Sequence, residues 1–190
     1  MSTIRMTAIA AALALGLSGG AFGMTKAEYK AGKDEVSAKY KSDKAACKSM
    51  TGNAKDICME EAKGREKVAK AELENSYKPS DRHAYDVMTT KAKADYDVAK
   101  EKCDDKKGND KDVCKKEAKA AYVSAKGNAK VEKKVNDPTA TPAAKAAVKQ
   151  DVKEDKKDAS YAVAKEKCDA MKGDAKDNCI KAAKVKYGQS

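Results

Sequence analysis

The residues with the clearest chemical potential are six cysteines in three evenly built stretches. These are CKSMTGNAKDIC from Cys47 to Cys58, CDDKKGNDKDVC from Cys103 to Cys114 and CDAMKGDAKDNC from Cys168 to Cys179. Cysteine can pair as a disulfide, ligate a metal as thiolate, or exchange electrons. The CxxC of thiol oxidoreductases and the CxxCH of haem attachment are both missing from the chain. Zinc calls for four convergent ligands, whereas a C-x10-C pair on one hairpin offers two. Pooling four thiolates from two hairpins is conceivable chemistry, but an oxidising compartment favours pairing.

The other chemical candidates are sparse. The single histidine, His83, sits beside Asp81 and Arg82 at an expected helix start and reads as a surface residue. No GxSxG, HExxH or Gly-rich phosphate loop occurs, and no carboxylate lies in an apolar stretch that would tune its pKa. The expected protein is therefore not an enzyme, with no cofactor and no metal. Tyrosines could stack on sugars or bases, but their regular spacing points to packing between helices.

The cysteine stretches belong to a longer repeat. Tyr40, Tyr96 and Tyr161 precede the first cysteine of each pair by seven residues, giving the pattern Y-x6-C-x4-G-[ND]-x-K-D-x-C. Units of this size cannot bury a core alone. In one continuous helix, residues eleven apart would lie roughly 16 Å from each other along the axis. A disulfide needs Cα atoms within about 4.4 to 6.8 Å, so the helix must reverse. Gly52, Gly108 and Gly173 suit a left-handed residue just past a helix end. Asn53, Asn109 and Asp174 suit the next N-cap, and Asp56, Asp112 and Asp177 an acidic N3. The cysteines are symmetric about this turn, which pairs Cys47 with Cys58, Cys103 with Cys114, and Cys168 with Cys179.

Outside the turns the spacing is helical. Tyr29, Val36, Tyr40 and Cys47 share one face, as do Tyr85, Ala92, Tyr96, Ala99 and Cys103. After the turn the facing stripe is small: Cys58, Ala62, Ala69 and Leu73, then Cys114, Ala118, Ala121 and Ala125. Helices are expected over 25–50, 53–77, 80–107, 109–135, 142–172 and 174–187. Pro79 ends the second, and Thr141 with Pro142 starts the fifth. The predicted fold is all-α and elongated: three serial antiparallel hairpins, 24–78, 79–135 and 142–190, each stapled by a disulfide next to its turn. The two prolines of NDPTATP mark 136–141 as a linker, a hinge setting the third hairpin apart.

Composition demands such staples. Beyond residue 23 the chain has one Leu, two Ile, twelve Val and neither Phe nor Trp. Large aliphatics thus make up roughly 9%, far below the roughly 20% under which charged chains tend to stay unfolded. Thirty alanines carry the packing, and alanine favours helix. The formal net charge is +11, with 38 Lys, 3 Arg and interspersed acids. That mixture describes a solvated helix surface with i,i+4 pairs. Its looser implication is attraction to anionic envelope polymers; scarce Arg argues against specific nucleic-acid recognition.

Residues 1–23 read as an export signal: Arg5, the apolar MTAIAAALALGL, then AFG before Met24. The apolar run is short for a bilayer-spanning helix, so the mature chain is expected not to span a membrane. The expected address is the periplasm, with the medium as alternative, and both permit disulfides.

The blocks YKSDKAACKSMTGNAKDICMEEAKG, YDVAKEKCDDKKGNDKDVCKKEAKA and YAVAKEKCDAMKGDAKDNCIKAAK resemble exported bacterial Ala/Lys-rich Cys-repeat proteins often labelled "cell envelope biogenesis protein, TolA". TolA proper is similar only in its Ala/Lys-rich helical middle; its membrane anchor and C-terminal globular domain have no matching stretch here. The resemblance implies a helical envelope protein and carries over no site residue. The expected function is a structural or interaction element of the envelope, with envelope polymers or envelope proteins as partners. A small helical stress protein or chaperone and a metal-sequestering protein are the alternatives.

Overall fold

The computed structural model describes residues 23–189, so the expected export signal, apart from Gly23, lies outside the described residues. Six helices follow in order: α1 Lys26–Cys47, α2 Gly52–Tyr77, α3 Asp81–Lys102, α4 Gly108–Asn136, α5 Pro142–Cys168 and α6 Gly173–Tyr187. A single 3-10 turn, Cys103–Asp105, follows α3. No strand occurs among the described residues, and no described helix is long and apolar enough to cross a membrane.

Three helix starts use side-chain caps. Thr25 and Glu28 form a reciprocal capping box on α1. The Ser80 hydroxyl accepts from the His83 N–H at 3.1 Å on α3, and Thr141 accepts from Ala144 at 3.1 Å on α5, where Pro142 opens the helix. At the far end, left-handed Gly188 closes α6, and the Gln189 N–H reaches back to the Lys184 carbonyl at 2.9 Å.

The disulfide turns differ from their sequence reading in one detail. Helices α1 and α5 end at the first cysteine of their pairs, and α3 ends one residue before Cys103. They stop short of the expected Met50, Lys107 and Lys172. Gly52, Gly108 and Gly173 do take left-handed φ values of 57°, 52° and 54°, yet each is the first residue of the following helix. The N-cap positions fall on extended Thr51, Lys107 and Lys172, with no side-chain cap. Asn53, Asn109 and Asp174 are therefore already helical, and Asp56, Asp112 and Asp177 lie beyond N3. The physical reason is that the glycine's left-handed backbone redirects the chain one residue before the polar side chain can cap it.

Every substantial interface joins helices that are neighbours in sequence, so the fold is a serial up-and-down array rather than a bundle around one core. Its interior is made of small groups: Ala62 and Gly64 on α2, Ala92 and Ala94 on α3, Ala118, Gly127 and Ala129 on α4, and Val148 and Val152 on α5. The largest fully buried side chains are Cys47, Cys103 and Cys168. Ala121 and Ala125, expected in the stripe, are exposed. Helix α4 lies between α3 and α5, so it needs two contact faces rather than one continuous stripe.

The third hairpin is not set apart. Asn136–Pro142 is a tight turn in which Asp137 accepts from the Thr139 N–H at 2.9 Å and its hydroxyl at 2.6 Å. Lys145 Nζ also donates to the Val135 carbonyl at 2.8 Å. Helix α5 then packs along α4. Close approach rests on glycine: a Cβ at Gly127 would sit 2.6 Å from Val152 Cγ1, and one at Gly64 would sit 3.0 Å from Ala94 Cβ. These positions are the seams between hairpins.

Candidate functional site

The most elaborated feature is the turn module, which occurs three times. In each, the cysteine Cα atoms are 5.6 Å apart, pairing Cys47 with Cys58, Cys103 with Cys114 and Cys168 with Cys179. All six sulfurs are engaged, which leaves none as a nucleophilic or metal-binding thiolate. The up-and-down order places all three modules at one end of the array. Side chains confirm it: Asn53 Nδ2 donates to the Glu101 carbonyl at 2.9 Å, joining the first turn to the second. Lys167 meets Glu117 at 2.6 Å between the second and third.

An ion pair accompanies two of the disulfides. Asp104 follows Cys103 and bonds Lys111 at 2.8 Å and Lys115 at 3.1 Å. Asp169 follows Cys168 and bonds Lys176 at 2.7 Å. Hydrogen bonding to these lysines holds both carboxyls below the usual aspartate value and raises Lys111 and Lys176. In the first module the corresponding residues are Lys48 and Lys55, two cations.

Tyrosines form the next rungs. Seven residues before the first cysteine and eight after the second, Tyr96 meets Tyr122 with centroids 5.2 Å apart, and Tyr161 meets Tyr187 at 6.3 Å. Lys119 Nζ covers both rings of the former pair, 5.7 Å from Tyr96 and 5.1 Å from Tyr122. One step further out, Tyr29 stacks on Tyr77 at 4.4 Å, and at the corresponding place in hairpin 2 Lys133 Nζ lies 4.7 Å from the Tyr85 ring. Tyr29 also donates its hydroxyl to Glu74, which raises the phenol above its ordinary pKa. The rungs make the interhelical packing expected from the tyrosine spacing.

His83 lies in the first turn of α3. Its Nδ1 donates to the Lys78 carbonyl, and its backbone N–H is the one that Ser80 caps. Among the described residues no group of three or more His, Cys, Asp or Glu side chains is arranged to hold a metal ion. Between helices run open troughs, one of about 680 Å³ between α2 and α3. A second, of about 610 Å³, is lined by Tyr85, Tyr122, Lys119, Lys126 and Lys130, with Asp155 and Asp158 opposite.

Sequence reasoning passed over Gly64 and Gly127, whose partners lie on other hairpins, and over the Asp–Lys pairs. The latter had a signal: Lys is invariant three residues before the second cysteine of all three modules. No family model matches the chain, and no curated protein and no solved structure is significantly similar to it.

Proposed function

We propose that this is a non-enzymatic, exported structural or interaction element of the bacterial cell envelope, working in the periplasm. The observation that carries the reading is the serial array itself. Its interior consists of disulfides, alanines, glycines and two valines, and its surface presents lysines with acids between them. Such a molecule is stiffened by covalent staples that an oxidising compartment maintains. It exposes much surface for its size, and the spaces between its helices are open troughs. The excess of positive charge favours anionic envelope polymers, bound loosely because lysine acts as a point charge.

A chaperone reading draws less support. Among the described residues four large apolar side chains stand exposed, Met50, Val135, Met171 and Val185, few for the contiguous patch that client binding uses.

The test is retention from an envelope extract on immobilised oxidised protein. Lipopolysaccharide, an acidic wall polymer or a defined envelope protein should be retained. An anionic polymer should elute as salt rises past a few tenths molar, where surface attraction is screened. An empty column at low salt would overturn the reading.

A further inference from the structure

Hairpins 2 and 3 each carry a tyrosine pair one heptad from the disulfide. The corresponding positions of hairpin 1 hold Tyr40 and Glu66. Where the second ring stands in the other hairpins, hairpin 1 has a cleft of about 190 Å³ between α1 and α2, floored by Val36, Tyr40 and Ala69 and rimmed by Glu35, Arg65 and Glu66. An apolar cavity of about 150 Å³ suffices for benzene, so one six-membered ring fits.

The rim narrows the chemistry of the guest. Arg65 and Lys39 are already bound to Asp43, at 3.0 Å and 3.2 Å, and Lys70 engages Oε1 of Glu66 at 2.7 Å. Lys44 Nζ lies over the Tyr40 ring at 5.1 Å from its centroid, which leaves the ring's other face for a guest. The Glu66 carboxylate has a second oxygen, an acceptor on the wall of the cleft that Tyr40 also lines. The same hairpin shows what such a pair of groups accommodates. Tyr29 stacks on Tyr77 and donates a hydrogen bond from its hydroxyl to Glu74. A phenol, a stacking ring and a glutamate make up that arrangement; the cleft supplies the ring and the glutamate.

We propose that this cleft binds a phenol ring, the tyrosyl side chain of a partner polypeptide, stacked on Tyr40 with its hydroxyl donating to Glu66. The repeat itself identifies the occupant, since a tyrosine of the same chain fills the corresponding place in the other two hairpins. The proposal stands independently of the envelope reading.

The test is an NMR titration of the oxidised chain with N-acetyltyrosine amide, observing the methyl groups of Val36 and Ala69. Saturable shifts are expected there and not at Ala118 or Ala183. N-acetylphenylalanine amide, which lacks the hydroxyl, should bind several-fold more weakly. Free p-cresol carries the same ring and hydroxyl and should bind comparably; binding at least tenfold tighter than that of the tyrosyl amide would show that the backbone is excluded, leave a small-molecule phenol site and overturn the polypeptide assignment. Glu66→Tyr should supply the missing ring from within, raise the melting temperature and weaken binding at least tenfold. Ala69→Leu, filling the floor, should abolish binding while leaving the helical circular-dichroism signal intact. No saturable shift at concentrations on the order of 10 mM, where even a weak fragment-sized guest would register, would overturn the proposal. So would equal binding by the phenylalanine amide, or undiminished binding by Glu66→Tyr.

Discussion

Asp104 and Lys111 face each other at 2.8 Å across the turn that Cys103 and Cys114 close. The same relationship recurs in hairpin 3, whereas hairpin 1 places Lys48 opposite Lys55. Lys48→Asp should complete the pair missing from the first module. Exposed ion pairs are weak, so melting temperature should rise by only about 1 °C. The sharper readout is the new carboxyl, which should titrate below an ordinary aspartate by NMR. Asp104→Lys should shift stability the opposite way.

Gly52, Gly108 and Gly173 are left-handed, and nothing lies within 4 Å of where a Cβ would be. Replacing any one by alanine should therefore cost about 1–2 kcal/mol through backbone conformation alone. Gly127→Ala tests a different cause, the contact with Val152 Cγ1. Crowding there should cost about 1–3 kcal/mol, and Val152→Ala in the same chain should restore part of it. Denaturant midpoints would separate the two mechanisms, because Val152→Ala should not rescue Gly52→Ala.

Removing one staple, Cys47→Ala with Cys58→Ala, should lose about 3 kcal/mol on loop-closure grounds. Because interfaces join only neighbours in sequence, the loss should stay local, as in linear arrays. Amide exchange should speed up in α1 and the first half of α2 while α4 and α5 keep their protection. Uniform acceleration along the chain would contradict the serial architecture.

Acid should loosen the turn between α4 and α5. Hydrogen bonds from the Thr139 hydroxyl and N–H, then Lys134, hold Asp137 down at about 2. A carboxyl depressed in the folded state contributes stability above its unfolded value, near 4, and that contribution is lost as pH falls toward 2. Asp104 and Asp169 are shifted the same way. Thermal melts should therefore show a falling Tm between about pH 4 and pH 2, with a shallower fall in Asp137→Asn.

What was legible in the sequence was whatever repeats or follows from local geometry. The helix reversal and the three disulfides came from cysteine spacing and the central glycine, and the tyrosine faces came from steps of seven and four. Asn53 was misplaced because its preference for an N-cap is one local term among several. The left-handed glycine before it started the helix earlier and freed the side chain to bond Glu101 on another hairpin. Gly64 and Gly127 were invisible for a related reason: a glycine inside a helix gives no local sign of which distant side chain presses on it. The apparent hinge at Asp137 was a composition signal, and Asp137, Thr139 and Lys145 turn that composition into a hydrogen-bonded turn.

The staples all sit at one pole of the array, and this gives the molecule a mechanical grain. A load drawn through the chain crosses sulfur at each hairpin tip, so the residues between paired cysteines stay slack and roughly 30 Å of extension per hairpin is withheld. At the opposite pole, the turns at Pro79 and Pro138 hold by side-chain packing and hydrogen bonds, so under tension the array should open there first, as a fan opens from its pivot.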